Sequence, residues 1–216
     1  MRLSPEEARV TGSLIEKELT TPQQYPLTQN ALLLACNQSS NRDPVVDYNE
    51  RTVDSALAAL KTAGLVRYVH PSHGRSVTRY QHLLGDQLGL NGPQLALVAV
   101  LMLRGPQTAG ELRSRTERMC EFDGISDVEL ELELLNTLPE PLVARLARRP
   151  GQKEERWVQL LTGPSAVPVV PEGPSEPGGA ATGQAGDSGP GARVTSGLAA
   201  QVAELRAELS ELRDQL

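Results

Sequence analysis

Aromatic side chains are nearly missing from this chain: Phe, Trp and Tyr together make up 3% of it. Apolar residues still reach 39%, so any core has to be assembled from Leu, Val, Ile and Ala. Cysteine is scarce as well. Cys36 and Cys120 stand far apart in neither CxxC nor CxxH spacing, which excludes a disulfide framework and a zinc ribbon and suits a reducing cytosol. Both are expected to be buried thiols. No run of about eighteen apolar residues occurs, and the opening Met1-Arg2-Leu3-Ser4-Pro5-Glu6-Glu7 lacks the apolar stretch of a signal peptide. The expectation is a soluble, cytoplasmic protein with no membrane partner. Positive charge is also in short supply: 21 Lys and Arg face 27 Asp and Glu, and the net charge is −6. Only three of the basic residues are lysines. This excludes a wholesale polyanion binder of the kind whose domain pI exceeds about 9, so nucleic-acid binding needs a local patch.

What the 216 residues do contain is an uneven distribution of Gly and Pro. Residues 163–197 hold nine Gly and six Pro with almost no large side chains. Such a stretch cannot bury enough apolar area to offset its ordering entropy, and it reads as a disordered linker. Inside it, Gly186-Asp187-Ser188-Gly189 matches the letters of a serine-protease loop. The three histidines, His70, His73 and His82, all lie far upstream, and a triad needs a rigid frame that this stretch lacks. Charges divide along the same lines: residues 1–88 carry 9 basic and 9 acidic side chains, 89–162 carry 9 and 11, and 163–216 carry 3 and 7. Only the first segment escapes an acidic surplus.

The first segment opens on a capping box, Ser4 with Glu7, and a helix to about Leu19 with Val10, Leu14, Ile15 and Leu19 on one side and Glu16, Lys17 and Glu18 as its wet face. Thr28 caps a second helix, Asn30 to about Gln38, apolar nearly all round and therefore expected to be buried. A polar turn leads into a short β-capable run, Val45-Val46. Asn49 caps a third helix carrying Val53, Leu57 and Leu60, which stops at Gly64. Residues 65–69 and 77–83 are strand-like and flank Pro71-Ser72-His73-Gly74, which has turn chemistry.

That order is the order of a winged helix, whose third helix enters a DNA groove while the hairpin, or wing, lies on the phosphates. The order then repeats. Residues 93–104 make an apolar helix, Thr108 and Glu111 form a capping box, a third helix starts at Ser126 with Glu129 at its box position, and residues 142–146 and 156–161 make a second hairpin around Pro150-Gly151. The fold class expected is α+β and mostly helical: two tandem winged-helix domains at 1–88 and 89–162, the linker at 163–197, and a short coiled-coil helix at 198–216.

Several motifs are more specific than this pattern. Glu16-Lys17, Thr20-Thr21-Pro22, Tyr25-Pro26-Leu27, Asn30-Ala31-Leu32, Ala35-Cys36-Asn37-Gln38 and Ser40-Asn41-Arg42-Asp43-Pro44-Val45 come first. Leu103-Arg104-Gly105-Pro106-Gln107-Thr108 and Gly110-Glu111-Leu112-Arg113-Ser114-Arg115 follow in the second half. Together they resemble the bacterial YceH-like family of tandem winged-helix proteins over about residues 3–162. The resemblance implies the fold and implies no reaction. Members of that family often have Lys where Ser39 stands, so any phosphate contact assigned to that lysine is missing here.

Weighed residue by residue, the third helix of the first domain offers Arg51, Thr52, Ser55, Ala58, Lys61 and Thr62 away from its apolar face, and the wing adds Arg67, Arg75 and Arg79 with His70 and His73. Arg51 could pair with guanine or phosphate, and Thr52 and Ser55 could donate to either. Glu50 and Asp54 on the same helix work against this, and a solvated helix face is an equal alternative. The matching helix of the second domain carries Asp127, Glu129, Glu131 and Glu133 and is no DNA reader. Its Val128, Leu130, Leu132 and Leu134 spread apolar surface around it and point to contact with another domain or subunit.

Asn37, Gln38, Asn41, Arg42 and Asp43 form a polar cluster where side chains can satisfy the last carbonyls of a helix, the favoured reading over ligand binding. Arg104, Gln107, Glu111, Arg113 and Arg115 admit the same two readings, with Glu111 and Arg115 as i, i+4 partners. His70 and His73 lack a third ligand nearby, so no metal is expected. In the tail, Leu198, Val202, Leu205, Leu209, Leu212 and Leu216 form a heptad seam, with Glu208 and Arg213 placed to pair between parallel chains. Self-association as a homodimer is favoured over folding back onto the body. No catalytic, metal or cofactor constellation emerges, so the expectation is a non-enzyme. The preferred reading is a DNA-binding or transcription-associated dimer on double-stranded DNA. The alternative is a protein-interaction scaffold, like the winged-helix adaptors of chromosome segregation, which the acidic balance and the few lysines favour.

Overall fold

Ser4 begins the first helix as its sequence dictates. Its hydroxyl accepts from the Glu7 amide at 3.1 Å, and the Glu7 carboxylate accepts from the Ser4 amide at 2.9 Å. The computed structural model describes residues 2–70, 77–148 and 153–163. Expectations about Arg75, His73, the two hairpin tips, the Gly/Pro stretch beyond 163 and the heptad tail lie outside the described residues.

Helix α1 (Pro5–Thr20) leads through a 3-10 turn (Pro22–Gln24) into strand β1 (Leu27–Thr28), then α2 (Gln29–Cys36) and α3 (Glu50–Thr62). Strands β2 (Val66–Val69) and β3 (Arg79–His82) form a hairpin. The sheet order is β1-β3-β2, all antiparallel, with Leu27 opposite Tyr80 and Tyr80 opposite Tyr68. Helix α4 (Leu84–Leu88) leads to α5 (Gly92–Arg104), α6 (Ala109–Thr116), α7 (Ile125–Asn136) and a second hairpin, β4 (Val143–Leu146) with β5 (Arg156–Gln159). Gln107 exchanges both backbone hydrogen bonds with Trp157, at 3.0 and 2.7 Å. It stands beside the second hairpin as β1 stands beside the first. About half of the described residues are helical, with two small antiparallel sheets.

Several expectations need correcting. Val45-Val46 form no strand, and Val45 is 57% exposed. The third strand of the first sheet is supplied earlier by Leu27–Thr28, because Leu27 buries against the core. The segment after α2 is held elsewhere: Arg9 takes the Pro44 carbonyl at 2.6 Å, and the Asn37 side chain exchanges two 2.8 Å bonds with the Tyr48 backbone. Helix α2 is not buried all round, since Leu34 is 63% exposed and the buried residues are Leu32, Ala35 and Cys36. Helix α7 begins one residue early and takes its box from Asp127, whose carboxylate accepts from the Gly124 amide at 3.0 Å; Glu129 has no part in it. Glu16 is no part of a wet face. It is buried against Arg42.

The ranges 1–88 and 89–162 share one continuous core. It runs from Val10, Leu14 and Leu57 through Leu97 and Leu101 to Leu112, Val128 and Trp157, and all described residues fall in one compact unit. The seam is α1 against α5. At Gly12 a Cβ would meet Leu103 Cγ at 3.0 Å and Met102 Cβ at 3.2 Å, so the two helices approach closely only because this position lacks a side chain. The Leu3 amide donates to the Leu161 carbonyl at 2.7 Å, and the Asp43 amide to the Leu103 carbonyl at 2.9 Å, which fastens the first half to the second from both sides.

The cysteines differ from one another. Cys36 is fully buried, and burial pushes its thiol up to about 11, whereas Cys120 is half-buried rather than buried as expected. The Cys120 thiol is raised first by burial and then by Glu131 and Glu121. Because the thiolate is the nucleophile, a disulfide reagent is expected to label Cys120 slowly in the native protein and Cys36 only after unfolding. Labelling of both at one rate without denaturant would show that the core around Cys36 opens.

Candidate functional site

Helix α3 is the element that sequence assigns to DNA. Asn49 caps it, with its side chain accepting from the Thr52 amide at 3.0 Å, and Val53, Ala56, Leu57 and Leu60 turn inward. Arg51, Ser55, Ala58, Lys61 and Thr62 remain exposed, with Thr52 half-buried. Arg51 lines a shallow hollow shared with Ser4, the N-cap of α1, and with Glu6 and Glu7 of its first turn, so two carboxylates share its surroundings. Farther along, Asp54 accepts from Gln29 at 2.7 Å, and the Lys61 ammonium sits 4.3 Å above the Tyr68 ring.

Strand alternation separates the wing cations from these. Tyr68 and Tyr80 face one side of the sheet, packed edge to face at 4.9 Å, and Lys61 covers Tyr68 on that side. Arg67 and Arg79, at the odd positions, point to the other side. There Arg67 donates to Gln81 at 2.7 Å and Arg79 to the Pro26 carbonyl at 2.8 Å. Arg51, Lys61, Arg67 and Arg79 therefore do not form one patch.

The motif residues converge on the junction between the halves. The Arg42 guanidinium, 0% exposed, forms a bidentate pair with Glu16 at 3.1 and 2.6 Å and also donates to the Ala35 and Asn41 carbonyls. Behind it, Arg9 reaches the Cys36 carbonyl at 3.3 Å, and burial with the nearby Arg42 charge lowers its pKa. Asn41 holds a left-handed backbone (φ 58°), and its side chain accepts from Arg104 at 2.7 Å. Gln107 donates to the Arg104 and Pro106 carbonyls. Glu111 caps Thr108 and takes Arg156 through both oxygens at 3.0 and 3.2 Å; Arg115 lies 3.9 Å away. Burial alone would raise the Glu111 carboxyl, but the Thr108 amide and the Arg156 charge outweigh it and hold it below the usual range. Arg113 donates to the Phe122 and Asp123 carbonyls at 3.3 Å. Gly105 ends α5 with φ 69°, and Gly110 lies in the first turn of α6. Gln38 lies half-buried after α2, and the Pro44 backbone is held by Arg9.

The pattern of the family described as Protein of unknown function, DUF480, matches residues 3–152, from the start of α1 through β4. The chain belongs to the DUF480 family. Its relatives include a UPF0502 protein of Pelobacter propionicus, 52% identical over 163 residues that cover 76% of this chain and 74% of that one. The UPF0502 protein mll4256 of Mesorhizobium japonicum is 45% identical over 214 residues, 99% of this chain and 94% of its own length. A UPF0502 protein of Citrifermentans bemidjiense is 43% identical over 220 residues, covering 100% and 96%. The similarity to these last two DUF480 relatives thus extends through the Gly/Pro stretch and the heptad tail.

Within this family body, sequence reading found no partner for four side chains that hold the structure: Arg9, Glu16, Arg156 and His82, whose imidazole Nε2 contacts the Glu18 carboxylate. Among the described residues no His, Cys, Asp and Glu gather in a metal-holding group, and no helix is long and apolar enough to cross a membrane.

Proposed function

We propose that this protein is a non-enzymatic interaction module of the cytoplasm, built from two tandem winged helices, that assembles with a second copy of itself through α7. The observation that carries this reading is the outer face of α7, where Leu130 is 60% exposed and Leu134 47%, one helical turn apart. Ile125, at the start of the same helix, is 49% exposed. Carboxylates of Asp127 and Glu129 rim this strip, which turns phosphates away and suits a protein surface. Val128, Leu132 and Leu135 already seat α7 in the core, so the outer leucines are not needed to hold it. The heptad Leu198–Leu216 supports the same reading from sequence, because two tails carried by a paired body gain effective concentration. Sedimentation of the full chain is expected to give a dimer, and Leu130→Glu with Leu134→Glu to shift it toward monomer with unchanged far-UV circular dichroism. A monomeric full chain, or a dimer indifferent to both substitutions, would refute the α7 assignment.

A second reading, binding of double-stranded DNA through α3, is favoured by one observation. The order α1-β1-α2-α3-hairpin, with sheet order β1-β3-β2, is compatible with a winged helix, in which the third helix is the recognition helix. Its experiment is duplex binding against salt. A DNA reader loses affinity steeply as salt rises, and Arg51→Ala lowers the slope by about one. The separation of the cations and the carboxylates around Arg51 predict instead weak binding that Arg51→Ala leaves unchanged.

A further inference from the structure

The junction between the halves holds a cleft of about 170 Å³ that the reading above does not use. Its rim is cationic: Lys17 from the last turn of α1, Arg104 from the end of α5, Arg115 from α6 and Arg118 just beyond it. The one carboxylate among its lining residues is Glu16, whose charge is taken from behind by the buried Arg42. In a chain of net charge −6 this is a pronounced local reversal.

These four side chains are only partly neutralised. Arg104 is positioned by a neutral amide, Asn41 at 2.7 Å, and not by a counter-ion. The nearest carboxylate to Arg115 is Glu111 at 3.9 Å, already engaged bidentately by Arg156. Lys17 stands 3.7 Å from the Glu16 that Arg42 occupies. Arg118 has no hydrogen bond or ion pair among the described residues. Helix ends contribute only about half a negative charge each, which leaves the cleft cationic. Burial first and then the neighbouring Arg115 charge lower the Arg104 pKa, although Asp43 and Glu111 offset part of that shift. Val100, Leu103 and Met119 supply an apolar floor beneath a lining that is otherwise polar or charged.

We propose that this cleft binds a small phosphate-bearing anion, gripped by the guanidinium groups of Arg104, Arg115 and Arg118 and by the Lys17 ammonium. The guanidinium fork matches phosphate oxygens in bidentate fashion. A cleft of about 170 Å³ that opens to solvent has room for a small phosphate-bearing group. The proposal is independent of α7 and of DNA.

Calorimetric titration of the full chain with sodium pyrophosphate at low ionic strength tests it. Inorganic phosphate and glycerol 3-phosphate form two further arms that separate a free inorganic anion from a phosphate monoester. Saturable binding of at least one probe is expected, with the melting temperature rising as that probe is added. Arg118→Gln and Arg115→Gln are each expected to weaken it about tenfold, the effect of one charged hydrogen bond. Arg118 is exposed, so its variant keeps the fold, and Arg51→Gln serves as the unaffected control. Absence of heat and of any melting shift at about 10 mM of all three probes, well above a weak Kd of about 1 mM, would overturn the proposal. So would equal affinity of the Arg115 and Arg118 variants and the parent.

Discussion

Replacing Arg42 by alanine is expected to lower the unfolding free energy by about 3–5 kcal/mol, the usual effect of removing one partner of a buried pair. The guanidinium donates to Glu16 through two nitrogens and to the Ala35 and Asn41 carbonyls, and none of its surface reaches water. Its loss leaves two carbonyls unpaired and Glu16 with only the Lys17 ammonium, 3.7 Å away. Glu16→Gln is milder, since the amide still accepts one bond. Replacing both by Leu should recover much of the stability, because the pair's attraction is largely cancelled by the cost of dehydrating it. Chemical denaturation of the three variants checks this. A loss below about 1 kcal/mol for Arg42→Ala would mean that water reaches the pair.

Gly12→Leu carries the second large effect, about 3 kcal/mol, at the upper end for bulk inserted into a packed interior. For a chain of this size that lowers the melting temperature by roughly 6–12 °C. The branched side chain must displace Leu103 and Met102, which already approach a hypothetical Cβ at 3.0 and 3.2 Å. Gly12→Ala is expected to stay near neutral, as the better helix propensity of Ala offsets a small shift of Leu103. The informative measurement is whether unfolding remains a single transition in Gly12→Leu. Two separate transitions would show that the halves can melt independently.

Much of this architecture was readable because its signals are local. The Ser4–Glu7 and Thr108–Glu111 boxes, the Asn49 cap and the Val53, Leu57, Leu60 spacing each lie within a few residues, and they place α1, α3 and α6. Strand β1 was missed because two residues, Leu27 and Thr28, are too few to show an alternation. Helix α4, five residues long, lacks a side-chain cap and offers equally little. The candidate site was harder. Glu16 lies 26 residues from Arg42, and Arg156 lies 45 from Glu111, so no window of sequence contains both partners. Glu16 in particular sits among charged neighbours that read as solvated surface. The outer leucines of α7 were legible as excess apolar residues. The separation of Arg67 and Arg79, on one sheet face, from Lys61, on the other, was not, because it depends on strand register.

The close packing at Gly12 and the backbone bond from Leu3 to Leu161 leave the body without a joint. Repeated halves often act as a pair of jaws, each able to rotate while the other stays still. Here the halves share one core, so a partner that grips one end is expected to carry the other with it.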